Sequence, residues 1–378
     1  MVSRRTALAG AASLALATVA ACSGSRRTQT SATDSPVTTE PSAEPTTTPT
    51  TTPTTEPPTT APAADEYFPP DSGEWATVTP AEAGFTDDGL AAVVELVAAS
   101  NSQSLVVLSG GRIVVEQYWR GAQASTVRDV ASVQKSVVST LLGIARDRGL
   151  LTFDQPVSGF LGAGWSRAAA ADEASITVFH LLTMSSGLSP RNLTRVAAPG
   201  TVWDYNTDAY QRLRRVLEAA AGQDINTLTN EWLFVPIGIA SPAPWGVRPG
   251  ASDPLGEPLW GLRLAAREMA RYGLFAMRNG RWAGRQITSP DWFAEAWAPT
   301  ALKGDYGYLW WLVGRGHLRR QGAPADLVAA LGAADQKIYV LPSADLVLVR
   351  QGEAAGRASD NESDFDALLV AAMGRARF

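Results

Sequence analysis

Two strand–turn–strand patterns stand at opposite ends of the part of the chain that can fold. The first is SLVVLSGGRIVVEQYW, whose apolar runs flank Gly110 and Gly111, and the second is KIYVLPSADLVLVRQG, whose runs flank residues 342–345. Both predict antiparallel hairpins. Residues 165–300 between them read mostly as helix and loop. We therefore expect an α/β (α+β) fold, with one antiparallel sheet built from both chain ends, flanking helices, and an inserted, mostly helical lobe.

The first 64 residues are not predicted to belong to the folded domain. Residues 1–21 contain an arginine pair followed by an apolar run and small residues, as in an export signal peptide. Cys22 follows Ala-Ala as in bacterial lipoproteins, so we expect lipidation there. Residues 22–64 consist mainly of Thr, Pro, Ser, Ala and Glu and predict a disordered stalk. Residues 65–378 are expected to form one globular domain, exported and lipid-anchored to the outer face of the bacterial cell membrane.

Composition excludes several classes of site. The formal net charge of −5 shows no excess of positive charge of the kind that binds a nucleic acid. Cys22 is the only cysteine, which excludes an intrachain disulfide and a cysteine nucleophile. The two histidines, His180 and His317, show no metal-ligand spacing, and a structural role is expected for His180. We expect neither a metal nor an organic cofactor.

A lysine follows a serine at helical spacing in DVASVQKSVVST, where Ser132 precedes Lys135 by three residues. The chain has three lysines, Lys135, Lys303 and Lys337. Residues i and i+3 share a face of a helix, so the hydroxyl and the amine are expected to meet. A serine nucleophile needs a base, and a lysine is one only when burial or a positive neighbour lowers its pKa. The alternative is a solvent-facing lysine whose spacing arises by chance.

The helix that carries this pair is predicted by an apolar stripe that ends before Gly149. Burial of the stripe would also bury the lysine, and the free N–H groups at the helix start would favour a developing oxyanion. The stripe consists of Val130, Val133, Val137, Leu141 and Ile144.

Five segments occur in the order found in the serine β-lactamase-like family. They are ASVQKS, ITVFHLLTMSSGL, PGTVWDYNTDAYQRL, WLFVPIGI and LGAADQKIYVLPSADLVLVRQG. Over residues 75–375 the chain resembles this family of class C β-lactamases, D-alanyl-D-alanine carboxypeptidases, esterases and 6-aminohexanoate-dimer hydrolases. The resemblance implies a β-lactamase/transpeptidase-like fold. It also implies that Ser132 is the acylated nucleophile, Lys135 its base partner and Tyr205 the tyrosine of the Y-x-N element.

The sequence departs from the family in two elements. The Y-x-N element reads Tyr205-Asn206-Thr207, with threonine in the usual asparagine position. The K-[ST]-G element is absent, and the likeliest equivalents are Leu331-Gly332-Ala333. We expect Gly332 to let the backbone approach a substrate and the Ala333 N–H to be the second oxyanion donor. The residues expected to bind substrate are Asn206, Thr207, Gly332, Ala333 and Gln336.

The missing K-[ST]-G lysine removes a cation that holds a substrate carboxylate in the family. Asp335 adds a negative charge nearby, unless it is simply a solvated loop carboxylate. Both changes predict neutral or cationic substrates and poor β-lactam hydrolysis. Residues 306–312 and Trp203 are candidate aromatic walls of an acyl pocket, with a core or edge strand as the alternative for 306–312.

The sequence therefore predicts an exported serine hydrolase of the esterase or amidase type that acts on a small ester or amide. Its expected partners are that substrate and a membrane, which it reaches through the N-terminal lipid anchor. Two alternatives stay open. One is a D-alanyl-D-alanine carboxypeptidase-like enzyme that cleaves cell-wall peptide. The other is a catalytically inactive cell-wall binding or sensor lipoprotein.

Overall fold

A computed structural model describes residues 66–355 and 362–377. The predicted signal peptide, Cys22 and the stalk lie outside the described residues. The strands are β1 Ser102–Ser109, β2 Arg112–Tyr118, β3 Arg128–Asp129, β4 Trp245–Ser252, β5 Pro258–Leu264, β6 Arg281–Trp282, β7 Arg285–Gln286, β8 Val328–Gly332, β9 Gln336–Leu341 and β10 Leu346–Gly352. The helices are α1 Asp87–Ala99, α2 Gln134–Asp147, α3 Ser158–Leu161, α4 Ala170–Glu173, α5 Val178–Leu182, α6 Thr207–Tyr210, α7 Arg212–Ala221, α8 Ile225–Thr229, α9 Ala266–Met277, α10 Trp292–Ala296 and α11 Glu362–Ala376. Within the described ranges, none of these helices has the length and apolar character needed to cross a membrane.

The main sheet has five strands in the order β2-β1-β10-β9-β8. Its central pair joins the two chain ends, since β1 runs antiparallel to β10 with Val107 opposite Leu348. Both predicted hairpins are present, and Gly110 and Gly111 have the positive φ angles of 58° and 80° that their turn requires. The prediction of one antiparallel sheet from both chain ends, flanked by helices, is confirmed.

Both faces of this sheet are covered. Successive side chains of a strand point to opposite faces. Val106 and Leu108 of β1 therefore belong to the core that includes the residues of α2 and α9, whereas Leu105 and Val107 belong to the core formed with α1 and α11. Burial on both faces explains why the four consecutive residues Leu105 to Leu108 are all apolar instead of alternating with polar residues.

The helix α2 lies inside the first core. The predicted stripe is buried along its length, and Gly149 follows the helix with a φ of 68°. Because this helix is enclosed on all sides, its polar residues are buried together with the apolar ones. The position of Lys135 on this helix therefore buries its side chain.

The inserted lobe contains helices α3 to α8, as expected, but also a second sheet that the sequence did not predict. The strands β4 and β5 form a hairpin, and β3 pairs with β5, which gives the order β3-β5-β4. The sequence of β4, WGVRPGAS, contains glycine and proline and lacks a run of β-branched residues, so its strand character was not visible. This hairpin affects the Ser132 region because its strand β5 pairs with β3, and β3 leads directly into the turn that carries Ser132.

Candidate active site

The serine lies on a tight turn between β3 and α2. Ala131–Val133 form a short 3-10 helix, and Val130 N–H donates to the Leu262 carbonyl of β5 at 2.9 Å. Ala131 has a φ of 49°, which is a strained conformation for alanine. The carboxylate of Asp129 holds it there by accepting the Ala131 N–H at 2.8 Å. The backbone before Ser132 is thus fixed from both sides.

The Lys135 amine lies 2.9 Å from the Ser132 hydroxyl, as the spacing predicted. Lys135 is only 2% exposed. Burial, reinforced by the positive charge of Arg248 and opposed by Asp208, lowers the pKa of Lys135 to about 7. A large share of this amine is therefore neutral near pH 7 and is able to accept the serine proton.

Two aromatic rings enclose the Lys135 amine. Its nitrogen lies 4.8 Å from the ring centre of Tyr205 and 4.7 Å from that of Tyr210. Tyr205 in turn stacks on Trp311, with ring centres 5.8 Å apart and an interplanar angle of 27°. Tyr205 therefore contacts the Lys135 amine with the face of its ring. Burial raises the pKa of the Tyr210 hydroxyl well above its ordinary value.

The two residues after Tyr205 have different roles. Thr207 lines the cleft, and its hydroxyl lies 3.3 Å from the Lys135 amine. Asn206 does not bind substrate in this arrangement, because its side chain is buried and both amide atoms are engaged. Its Nδ2 donates to Leu188 O at 2.9 Å, and its Oδ1 accepts from Ala209 N–H at 2.9 Å, which caps α6.

Gly332 brings the end of β8 against the nucleophile turn. A Cβ atom on Gly332 would lie 2.5 Å from the Val130 carbonyl oxygen and 3.1 Å from the Ser132 backbone nitrogen. The close approach is therefore to the backbone of Ser132 and Val130. Ala333 follows, is exposed, and lines the same cleft as Ser132.

The structure shows the bonding of Gln336 and corrects the solvated-carboxylate alternative for Asp335. Gln336 borders the cleft, but its amide is bonded to backbone, with Nε2 donating to Gly352 O at 2.6 Å and to Ala334 O at 3.0 Å. Asp335 is neither solvated nor turned toward the cleft: it is 3% exposed and pairs with Lys337 at 2.9 Å. The positive φ angles of Ala334 and Asp335, 57° and 59°, turn this carboxylate into the interior.

The aromatic segment 306–312 is a loop that touches the sheet edge. Trp311 forms a two-way backbone bridge with Ala329 of β8, and Leu309 O accepts from the Ser136 hydroxyl of α2. Tyr306 is buried and lies 5.4 Å from Trp203, ring centre to ring centre. The rings of Trp203, Tyr306 and Trp311 contact the ring of Tyr205, which in turn faces the Lys135 amine.

An open cleft of about 380 Å³ exposes the serine. Its rim carries charged residues that the sequence did not single out, namely Arg128 and Arg248 with the acidic Asp129. Arg128 pairs with Glu353, and Arg248 pairs with Asp129. Only Arg128 and Asp129 adjoin the Ser-x-x-Lys motif, and nothing in the local sequence marks Arg248.

The other candidate groups have structural positions. His180 Nδ1 accepts from Thr177 N–H at 3.1 Å in the capping box of α5, which confirms its predicted structural role. Among the described residues, His, Cys, Asp and Glu side chains do not gather in threes that could hold a metal ion. A separate cavity of about 160 Å³ between β9, β10 and α11 is almost wholly apolar and contains none of the predicted catalytic residues.

Comparisons with known proteins agree on the family and the fold of this chain. A family model described as Beta-lactamase matches residues 90–373. An uncharacterized protein of Alkalihalophilus pseudofirmus is 24% identical over 294 residues, which are 68% of this chain and 84% of that protein. Esterase EstB of Burkholderia gladioli is 28% identical over 153 residues, 32% of this chain and 39% of EstB. A solved structure named as a candidate 6-aminohexanoate-dimer hydrolase from Bacillus anthracis shares the fold, with a TM-score of 0.63 and 17% identity. The match covers 82% of this chain and 90% of that one.

Proposed function

Because the chain belongs to the beta-lactamase family of serine hydrolases, we propose that it cleaves a small ester or amide through an acyl-enzyme on Ser132. The observation that carries this proposal is the Ser132–Lys135 pair. Its two polar atoms are 2.9 Å apart, and the amine has a pKa lowered to about 7. A hydroxyl beside a largely neutral amine has the base that nucleophilic attack requires.

The proposed reaction begins with transfer of the Ser132 hydroxyl proton to Lys135 as the serine oxygen attacks the substrate carbonyl. The backbone N–H groups of Ser132 and Ala333 bind the oxyanion of the tetrahedral intermediate. Lys135, with Tyr205 beside it, returns the proton to the leaving group, which departs as an alcohol or amine. The same pair then removes a proton from water, which attacks the acyl-enzyme and releases the acid.

The test is intact-mass spectrometry of the protein after incubation with a fluorophosphonate. We expect one adduct, mapped to Ser132 by peptide digestion, and none in a Ser132→Ala variant with an unchanged circular dichroism spectrum. Ser136→Ala, which removes another serine hydroxyl from the same helix, is the matched control and should still react. A folded protein that forms no adduct would instead support the binding or sensor lipoprotein.

The substrate is proposed to be a small ester or amide because the cleft is open and lacks the family's K-[ST]-G lysine. The D-alanyl-D-alanine carboxypeptidase-like alternative predicts release of D-alanine from a cell-wall pentapeptide. A panel of aryl esters, anilides and one D-alanyl-D-alanine peptide separates these activities. Turnover of esters without release of D-alanine supports the ester hydrolase, and the reverse result supports the peptidase.

We also propose that the enzyme acts outside the cell, tethered through a lipid on Cys22. The support is the sequence pattern of residues 1–64. Metabolic labelling with a radioactive fatty acid should mark the protein in the membrane fraction, and Cys22→Ala should lose the label. Label retained in that variant would contradict the anchor.

A further inference from the structure

Arg248 reaches the cleft from β4 and binds two groups of the nucleophile turn. Its Nε and Nη2 contact the two oxygens of Asp129 at 2.6 Å and 2.8 Å. Its Nη2 also donates to the Gln134 side-chain oxygen at 3.2 Å. Asp129 and Gln134 lie on either side of Ser132 in the sequence, so one guanidinium links the residues that flank the nucleophile.

Each partner of Arg248 also bonds to backbone. Asp129 accepts the N–H of Ala131, the strained residue before the nucleophile, at 2.8 Å. Gln134 accepts from Leu262 N–H at 3.0 Å and donates to Trp260 O at 3.3 Å. The turn is thereby attached to the β4–β5 hairpin on both sides of Ser132.

The hairpin packs directly on this ion pair. A Cβ atom on Gly261 would lie 2.5 Å from Asp129 Oδ2 and 2.8 Å from Arg248 Nε. Any larger residue would therefore displace one of the two groups. The absence of a side chain at this position allows the guanidinium and the carboxylate to lie against the strand.

We propose that Arg248 is a positioning residue of the active site, which holds the nucleophile turn through Asp129 and Gln134 and supplies a fixed positive charge to the cleft of Ser132 and Lys135. This inference rests on the proposed function and goes beyond it. The cation comes from β4 of the inserted lobe, whereas the expected position of the family's K-[ST]-G lysine is at the end of β8, where this chain has Leu331-Gly332-Ala333.

The charge of Arg248 acts on Lys135 together with the other groups that face it. Asp208 of α6 has the opposite effect, since a nearby carboxylate favours the charged amine. The rings of Tyr205 and Tyr210 also contact the amine and attract its charged form. Asp129 neutralises part of the Arg248 charge. Arg128 also borders the cleft and is paired with Glu353. Removal of Arg248 takes away a positive charge that lowers the Lys135 pKa and leaves burial as the main cause that still lowers it.

The direct test is the titration of Lys135 in protein labelled with ¹³C at the lysine ε-carbon. The chain has three lysines, so three signals are expected, and Lys135→Met assigns one of them. We expect Arg248→Gln to raise the Lys135 pKa by about half a unit or more. Arg248→Lys, which keeps the charge, should leave it close to wild type. Arg285→Gln removes an exposed arginine of β7, which does not line the cleft, and is the matched control.

The second measurement is the pH dependence of fluorophosphonate acylation. Arg248→Gln should react about 10- to 100-fold more slowly at pH 7, with its acid limb moved to higher pH. Arg248→Lys should restore the position of the limb but not the full rate, because lysine cannot bind Asp129 with two nitrogens. An equal loss of rate at every pH, with an unchanged Lys135 titration, would overturn the electrostatic role of Arg248 and leave an ion pair that only holds the turn.

These readouts separate the two proposals. If wild-type protein forms no adduct, the proposed function fails, while the Lys135 titration still decides whether Arg248 tunes the amine. If wild type reacts and Arg248→Gln matches it in rate and titration, the serine hydrolase stands and the role of Arg248 is rejected.

Discussion

The amine nitrogen of Lys135 lies 2.9 Å from the hydroxyl oxygen of Ser132, at the buried start of α2. This distance allows direct proton transfer in either direction. Burial and the charge of Arg248 disfavour the charged amine, whereas Asp208 favours it. The facing rings of Tyr205 and Tyr210 also attract the charged form. The balance puts the amine close to half-protonated near neutral pH, and two predictions depend on it.

The acylation rate should decrease as the pH falls below about 7, because the charged Lys135 cannot accept the serine proton. Lys135→Arg, which stays charged, should lose at least about 10³-fold in rate at every pH. Stopped-flow hydrolysis of a neutral aryl ester between pH 5 and 9 measures both effects. A wild-type rate that is constant across this range would exclude Lys135 as the base.

Lys135→Met should stabilise the protein, and more so at low pH. The pKa of Lys135 is lowered from 10.5 to about 7 on folding, so between these values the unfolded state binds a proton that the folded state lacks. Stability therefore rises with pH through this window, and the full penalty remains below about 7. We expect the gain in unfolding free energy to be roughly 2–4 kcal/mol larger at pH 6 than at pH 10. Urea unfolding at both pH values measures it, and an equal gain at both would contradict the lowered pKa.

Short-range patterns predicted much of this structure, and long-range pairs were missed. The hairpin turns at Gly110–Gly111 and 342–345 and the Ser132–Lys135 spacing depend on residues close in sequence. Arg248 could not be found in this way, since its partner Asp129 is 119 residues away. The direction of the Asp335 carboxylate depends on two consecutive positive φ angles, which its sequence of Ala and Asp does not signal.

Thr207→Val and Asn206→Ala should affect different properties. Thr207→Val removes a hydroxyl 3.3 Å from the Lys135 amine, so the acylation rate should fall about 10-fold with little change in stability. Asn206→Ala removes the cap of α6 and the bond to Leu188, so the unfolding free energy should fall by about 1–2 kcal/mol. Ester hydrolysis and thermal unfolding of both variants measure this. A larger rate loss in Asn206→Ala than in Thr207→Val would support the substrate-binding role predicted for Asn206.

Gly332→Ala should disable the nucleophile turn. The new methyl group would lie 2.5 Å from Val130 O and 3.1 Å from Ser132 N, so the backbone of the turn has to move. A shift of this kind should reduce acylation by about 100-fold. Gly159→Ala in α3 is the matched control, since a Cβ there meets nothing within 4 Å. Fluorophosphonate labelling rates compare the two, and a normal rate in Gly332→Ala would show that the approach of β8 to Ser132 is not needed.

Asp335→Asn should weaken the fold and leave substrate charge selection unchanged. Its carboxylate pairs with the fully buried Lys337 and accepts the Ala355 N–H at 3.0 Å, on the inner side of the loop rather than in the cleft. The loss should be about 1–3 kcal/mol of unfolding free energy. Glu353→Gln removes the same charge at the rim, where Glu353 pairs with the cleft residue Arg128. We expect Glu353→Gln to lose little stability and to raise the ratio of hydrolysis rates for anionic over neutral esters by up to about threefold. A selectivity change in Asp335→Asn, with stability intact, would show instead that this carboxylate acts on the substrate.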